Sequence, residues 1–277
     1  MTLDPQELGQ SNADLAATLR ELRRRAGLTG VQLGRRVNMS QSKVSKIENG
    51  RLTPSLVDVE LILRALQAPP DLVANVMALA RMANTEWQAN RSLRRKGLEK
   101  KQVELAGLER SSRELRYFLP TMITGLLATP EYIHASMAPA GSDPSRAIAK
   151  KIERQTVLYD ETKRFTFILT EQACRWPLVP YQAMAMQLDR LVSVSYLPSV
   201  RLGVIPLEGS KPAAPLNVFT IYGADLVTVE VSTGAIIFRD PRDVEDYLDE
   251  FRVYESYALW GDEARGRLAD WARQFRQ

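Results

Sequence analysis

The segment from Ser40 to Gly50 constrains the fold of this chain more than any other stretch of its sequence. Val44 and Ile47 lie three positions apart, so they share one helical face and are expected to pack inward. Asn49-Gly50 supplies the residue types that tolerate the left-handed backbone at a helix C-terminus. The opposite face carries polar and basic side chains without a carboxylate, namely Gln41, Ser42, Ser45, Lys46 and Asn49. The pattern predicts a short amphipathic helix with a terminating turn.

The polar face has the chemistry of a DNA-reading helix. Gln can form two hydrogen bonds with an adenine edge, Ser accepts several bases, and Lys suits guanine or phosphate. We therefore predict that this segment binds duplex DNA. A helical bundle whose polar face serves as a protein-interaction module is the alternative.

Five short helices are predicted for residues 12–83. The first helix ends at Arg25, and the second has Thr29 as its N-cap. The third is the segment from Ser40 to Gly50 described above. The fourth has Thr53 as its N-cap and Pro54 as its first residue, and the fifth starts at Asp71. Gly34 is small, as a close helix crossing requires. Short helices joined by tight turns predict a compact helical bundle.

The remaining sequence predicts three further regions: a flexible tail at residues 1–11, a basic helical connector at 84–116, and an α/β regulatory domain at 117–277. Bursts of Val, Ile, Phe and Tyr after residue 117 read as strands at residues 165–169, 200–205, 218–222 and 226–231. A helix over residues 180–196 is long enough for a crossover, and Gly223-Ala224-Asp225 suits a hairpin turn. The fold class is thus α+β in two domains, an all-α N-terminal bundle followed by a mixed α/β domain of undecided strand order.

Charge divides along the same line. Residues 1–116 hold 20 Lys and Arg against 13 Asp and Glu, a net charge of +7, whereas the rest holds 17 against 20, a net charge of −3. The basic half suits phosphates. A single cysteine and the absence of a long apolar run or signal peptide lead us to expect a cytoplasmic protein without a membrane span.

The N-terminal pattern resembles the phage-repressor-like (XRE) helix-turn-helix family. The matching positions run from Thr29 through Leu33-Gly34, Val37 and Met39 to the Ser40–Gly50 segment and Pro54-Ser55-Leu56. The resemblance implies base contacts from Gln41, Ser42 and Lys43, with Lys46 further along, and phosphate contacts from Thr29 and Asn49. Ser40 and Ser45 complete the predicted interface. Many family members have a phosphate-contacting Gln where this chain has Gly30, and Gln32 is a candidate replacement.

Glu48 needs a cationic partner, because a carboxylate at a helix C-terminus opposes the helix dipole. The family pairs this position with the one held here by Arg23. We predict an Arg23–Glu48 ion pair with a structural role.

The second half is similar to the corresponding domain of WhiJ-like regulators of actinobacteria. The shared stretches are Glu109, Phe118–Tyr132, Arg154–Leu158, Phe167–Glu171, Gln187–Leu191, Pro198–Pro206 and Val244–Tyr247. Thr121 and Ala128 depart from the family pattern, in which Pro and Gln are usual.

The WhiJ-like resemblance implies a transcriptional regulator, in some pairs antitoxin-like, that binds a small BldB-like protein encoded nearby. The predicted docking residues are Gly125, Leu126, Leu127, Thr129 and Tyr132, although the same segment could be core. A C-terminal domain that senses a small-molecule ligand is the alternative. By analogy with similar DNA readers we expect a homodimer on a pseudo-palindromic operator.

No catalytic residue, cofactor or metal site is predicted. His134 and Cys174 have no sequence neighbours that complete a dyad, and they are interpreted as a surface or half-buried helix residue and a buried apolar residue. Glu131, Glu171 and Asp189 could form a carboxylate site, but their spacing does not demand one. We therefore expect a non-enzymatic protein.

Overall fold

The computed structural model describes residues 11–89, 98–137, 145–211, 213–231 and 234–277. The chain divides into two compact units, residues 1–87 with 236–243, and residues 88–235 with 244–277. The predicted tail up to residue 10 and the basic run at residues 94–96 lie outside the described residues.

The first unit is a helical bundle. Its helices are α1 (Ser11–Arg25), α2 (Gly30–Arg36), α3 (Gln41–Glu48), α4 (Leu56–Ala65) and α5 (Pro70–Asn84). Apolar side chains from all five meet in one core, including Leu15, Leu33, Val44, Ile62 and Val76. Burial of these faces, more than intrinsic propensity, stabilises helices this short.

The start of α4 differs from the prediction. Its N-cap is Ser55, not Thr53, and Pro54 precedes the helix. Ser55 accepts a hydrogen bond from the backbone N–H of Asp58, and the Asp58 carboxylate accepts one from the backbone N–H of Ser55. This reciprocal capping box satisfies two N–H groups, which the Thr53-Pro54 reading does not provide.

The second unit is a mixed α/β domain. Its helices are α6 (Leu98–Ser111), α7 (Pro130–Met137), α8 (Ser145–Arg154), α9 (Glu171–Arg175), α10 (Tyr181–Val194), α11 (Pro241–Glu255) and α12 (Gly261–Arg276). Its strands are β2 (Glu114–Leu119), β3 (Arg164–Thr170), β4 (Val200–Ile205), β5 (Val218–Tyr222), β6 (Leu226–Val231) and β8 (Leu259–Trp260). Two short strands, β1 (Thr85–Ala89) and β7 (Gly234–Phe238), contain the sequence positions at which the chain passes from one unit to the other.

The strand order in the second unit is β6-β5-β2-β3-β4-β8. Strands β2, β3 and β4 are parallel, with Phe118 opposite Ile168 and Ile168 opposite Gly203. Strand β5 pairs antiparallel with both β2 and β6, and the predicted hairpin turn joins β5 to β6. There Gly223 has a φ of +62°, which glycine adopts without strain. The predicted crossover helix is α10, between β3 and β4.

The predicted boundary at residue 117 falls inside a strand. Strand β2 begins at Glu114 and lies between β3 and β5, so the α/β unit starts before the predicted connector ends. Glu114 and Arg116 alternate with buried Leu115 and Tyr117, which gives this central strand the composition of a polar linker. Helix α6, also within the predicted connector, packs against α8 of the same unit.

No helix in the described ranges has both the length and the apolar composition of a membrane span.

Candidate nucleic-acid interface

Helix α3 presents the predicted polar face to solvent. Val44 and Ile47 are buried in the bundle, each with about 1% of its surface exposed. The predicted contact residues Ser40, Gln41, Ser42, Lys46 and Asn49 are exposed, and Ser45 is half-buried. The helix therefore offers hydrogen-bonding side chains outward from an apolar anchor.

Both ends of α3 are fixed by local hydrogen bonds. The Ser40 hydroxyl accepts from the backbone N–H of Lys43 at 3.1 Å, and the Asn49 amide donates to the carbonyl of Ser45 at 2.8 Å. Gly50 follows with a φ of +65°, as a left-handed helix end requires. Before α3, a Cβ on Gly34 would lie 2.7 Å from the carbonyl oxygen of Met39, so only glycine fits the turn without displacement.

Arg23 and Glu48 join α1 to α3. Arg23 donates from Nε and Nη2 to the two oxygens of Glu48 at 2.6 and 2.8 Å, and from Nη1 to the carbonyl of Leu28 at 2.6 Å. The hydrogen bond with Glu48 raises the pKa of Arg23, which keeps the guanidinium charged. A bidentate pair fixes orientation as well as distance, so it sets the angle at which α3 is held.

Lys43 does not join the exposed face. Its ammonium lies 2.8 Å from Oδ1 of Asp58 on α4. The structure therefore does not present Lys43 as the free base reader that the resemblance implied. Position 43 faces α4, because it lies two residues from Gln41 and thus on another side of the helix.

The expected phosphate contacts are placed at helix ends. Thr29 caps α2 by accepting from the backbone N–H of Gln32 at 3.2 Å. The Gln32 side-chain oxygen accepts from the backbone N–H of Thr29 at 2.8 Å, so it is engaged in the cap. The side chain that the family places at Gly30 is absent, and a Cβ there would meet nothing within 4 Å.

A notch of about 200 Å³ opens beside α3. It is lined by Arg20, Arg23, Gly30, Gln41, Val44, Ser45, Glu48 and Asn49. Arg20 is exposed and forms no hydrogen bond or ion pair with the described residues. The Glu48 carboxylate in the notch is paired with Arg23, which leaves the Arg20 guanidinium as the unpaired charge among the lining residues. Arg20 was not among the residues predicted from sequence, because its only distinguishing feature there is its position on the polar side of α1.

The predicted docking segment of the second unit is core. Leu126, Leu127, Thr129 and Tyr132 each expose 8% or less of their surface, and Gly125 is half-buried. Buried Gln187 accepts from the Thr129 N–H at 2.7 Å and donates to the Leu127 carbonyl at 3.0 Å. These side chains pack internally in this structure and offer little exposed surface, as the core interpretation of the segment expects, and partner binding here stays a prediction.

The second unit instead has a cleft of about 650 Å³ between α6 and α8. Its wall includes Gln102, Glu109, Lys150, Arg154 and Lys163, with Val103, Ala106 and Val157 as apolar members. Arg154 forms a bidentate pair with Glu109, whose side chain is 1% exposed. Arg154 also donates to Gln102, and Lys163 donates to the carbonyls of Arg110 and Ser112 at 2.8 Å, so these polar groups of the wall already have partners within the unit.

The other candidate chemical groups have structural surroundings. His134 is exposed, and burial raises the pKa of the Cys174 thiol far above its usual range. Glu171 accepts from the backbone N–H of Leu207 and from Arg175, while Asp189 pairs with Arg276. Within the described ranges no three His, Cys, Asp or Glu side chains are grouped to hold a metal ion.

Comparison with family models gives two matches. Residues 14–76 match the model described as a helix-turn-helix domain. Residues 102–270 match the model described as a domain of unknown function, DUF5753. A search of curated proteins found no match.

Similar solved structures share little sequence with the chain. NucT from Helicobacter pylori is 8% identical at a TM-score of 0.38, with 64% of this chain and 98% of that chain covered. Nuc from Salmonella typhimurium, a phospholipase D family member, is 10% identical at a TM-score of 0.33, with 58% and 90% covered. The archaeal chromatin protein TrmBL2 is 12% identical at a TM-score of 0.33, with 72% and 64% covered. No functional conclusion follows at these TM-scores.

Proposed function

This chain belongs to the DUF5753 family and is a DNA-binding regulator with an N-terminal helix-turn-helix domain; we propose that it is a sequence-specific transcriptional regulator of the XRE type. It acts in the cytoplasm, where it reads a pseudo-palindromic operator. The DUF5753 domain is a non-catalytic regulatory domain.

The face of α3 carries this proposal. Gln41, Ser42 and Lys46 are exposed on one short helix whose buried side is anchored in the bundle and whose orientation is fixed by Arg23. Laid in a major groove, the helix brings its first residues to base edges, while Asn49 and Arg20 lie where the backbone passes.

In vitro selection from a random duplex library tests the proposal. The wild-type chain is compared with Gln41→Ala/Lys46→Ala, and with Gln182→Ala/Lys211→Ala in the second unit as a composition-matched control. We expect an enriched motif for the wild type and the control, and a lost or relaxed motif for the α3 variant. Equal motifs for all three proteins would contradict readout by α3.

As the regulatory mode of the second unit we propose ligand sensing, in preference to protein docking at residues 125–132. The cleft between α6 and α8 supports it, since Val103, Ala106 and Val157 line it beside Arg154, Lys163 and Gln102, whose existing hydrogen bonds a polar ligand would have to share or replace. A metabolite library screened by thermal shift tests this mode, with Val103→Trp as the cleft-filling variant and Val253→Trp, also an exposed valine, as the matched control. A hit should lose its effect only in the first variant. Stabilisation by a small protein encoded nearby, but by no metabolite, would support the partner-binding mode.

The proposal includes a homodimer. On α4, Val57 and Leu61 lie one turn apart with 57% and 39% of their surfaces exposed, which leaves an apolar strip for a second copy. Analytical ultracentrifugation of Val57→Ser/Leu61→Ser tests this surface. Retention of the dimer in the variant would place the interface elsewhere.

A further inference from the structure

The Lys43–Asp58 ion pair links the first turns of two helices. Lys43 is the third residue of α3, whose N-cap is Ser40, and Asp58 is the third residue of α4, whose N-cap is Ser55. The Lys43 ammonium lies 2.8 Å from Asp58 Oδ1, while Asp58 Oδ2 accepts from the Ser55 N–H at 3.3 Å. One carboxylate therefore both caps α4 and holds the cation of α3.

The helix dipole stabilises the Asp58 carboxylate in the first turn of α4 but destabilises the Lys43 ammonium in the first turn of α3. A carboxylate in the first turn is favoured by the positive end of the helix dipole, whereas an ammonium there is disfavoured. Lys43 is thus a cation at an unfavourable position in its own helix, compensated by Asp58. Its side chain remains 39% exposed, against 15% for Asp58, so the ammonium lies near solvent.

We infer that Asp58 limits the affinity of the DNA interface by holding the Lys43 ammonium against α4 and so withholding one phosphate contact. This inference rests on the proposed entry of α3 into the major groove. A lysine whose charge is neutralised by a carboxylate of the same protein does not displace counterions condensed on DNA, so it adds nothing to the salt dependence of binding. A released lysine binds phosphate as a mobile point charge and adds one unit of counterion release.

Asp58→Asn releases Lys43 while it keeps an oxygen that can accept from Ser55. The measured quantity is the slope of log binding constant against log salt concentration, for a labelled duplex that carries the motif most enriched by the wild type. One additional phosphate contact steepens this slope by about 0.9. Between roughly 50 and 200 mM salt, the affinity gain of the variant should therefore shrink by about 3.5-fold.

Removing any negative charge near DNA also reduces repulsion, so the test is a double-mutant cycle. Lys43→Gln alone should leave the slope of the wild type unchanged, and Lys43→Gln/Asp58→Asn should lose the steepening seen in Asp58→Asn. Asp71→Asn, which removes an exposed carboxylate of the same unit without releasing a cation of the described residues, is the matched control and should not steepen the slope. Equal melting temperatures of wild type and Asp58→Asn would show that the cap is kept.

Three results would overturn the inference: an unchanged slope in a folded Asp58→Asn variant, a steepening that persists without Lys43, or a slope flattened by about 0.9 in Lys43→Gln alone. In each case DNA binding itself remains. Absence of binding by every variant and by the wild type would instead refute the proposed function, and the inference with it.

Discussion

Arg23 on α1 holds both carboxylate oxygens of Glu48 on α3, although 25 residues separate them in the chain. The Arg23 and Glu48 side chains are 14% and 8% exposed. The contact thus fixes α3 against α1 without using its exposed side chains Gln41, Ser42 and Lys46.

Loss of this pair should destabilise the first unit. Because Glu48→Gln leaves a nearly buried guanidinium without its charged partner, we expect a loss of about 2 kcal/mol in unfolding free energy. Urea denaturation followed by helix circular dichroism measures it. The exposed pair Arg25–Glu21 on α1 provides the control, and Glu21→Gln should cost at most about 0.5 kcal/mol. Equal losses for the two variants would argue against a positioning role for Arg23.

Two glycines of α2 should respond oppositely to alanine. At Gly34 the new methyl group would lie 2.7 Å from the Met39 carbonyl oxygen, so the turn before α3 must shift. At Gly30 the methyl group meets nothing within 4 Å. We expect Gly34→Ala to lower the melting temperature and weaken DNA binding, whereas Gly30→Ala should stabilise by about 0.4–1 kcal/mol. Thermal melting of both variants decides, and a stable, fully active Gly34→Ala protein would refute the close approach.

Arg20 should contribute to DNA binding without sequence preference. A guanidinium at the notch beside α3 is placed for a backbone phosphate, so Arg20→Gln should flatten the salt dependence by about 0.9 and leave the selected motif unchanged. Arg81→Gln, an exposed arginine outside the notch, is the control. A changed motif with unchanged salt dependence would assign Arg20 to base contact.

Gln187 should be required for stability of the second unit. Gln187→Leu strands the buried N–H of Thr129 and the carbonyl of Leu127, at an expected cost of about 2–3 kcal/mol. Gln182→Leu, at an exposed site of the same helix α10, provides the matched comparison. Denaturation of the second unit should separate the two variants, and similar midpoints would mean that water replaces the Gln187 hydrogen bonds.

Glu171 should make the second unit sensitive to acid. Burial alone would raise its pKa, but the hydrogen bonds from the Leu207 N–H and Arg175 prevail and lower the pKa below the ordinary 4.5. The stabilisation is therefore present above pH 4.5 and is lost as the pH falls through the depressed folded value. Urea titrations across this range should show a weaker pH dependence for Glu171→Gln, and no change for exposed Glu161→Gln. An unaltered pH dependence in Glu171→Gln would show that other carboxylates dominate.

The elements predicted well from sequence are those whose signals are local. The strand at residues 200–205 is a continuous apolar run apart from Arg201, and the Gly223 turn between residues 218–222 and 226–231 has a required backbone geometry. Strand β2 was missed because Glu114 and Arg116 hide the alternation of Leu115 and Tyr117.

Partners distant in sequence explain the remaining differences. An apolar segment such as Gly125–Thr129 looks the same whether it faces solvent or core, and the buried Gln187 that covers it lies about sixty residues away. Likewise, only the folded bundle brings Asp58 to Lys43, so the sequence could not show that a candidate base reader was already paired.

The place of β2 in the sheet has a consequence for synthesis on the ribosome. The strand is made early, yet its two neighbours are β3, some fifty residues later, and β5, whose Tyr222 pairs with Leu115. Until residue 222 has left the exit tunnel, β2 has an open edge of unpaired backbone groups, of the kind that recruits other strands. The apolar core of the helical bundle draws only on residues before 85, although residues 236–243 join the first unit later. We therefore expect the nascent chain to form the core of the bundle well before the sheet can fold, with aggregation of stalled chains concentrated in the interval between the two events.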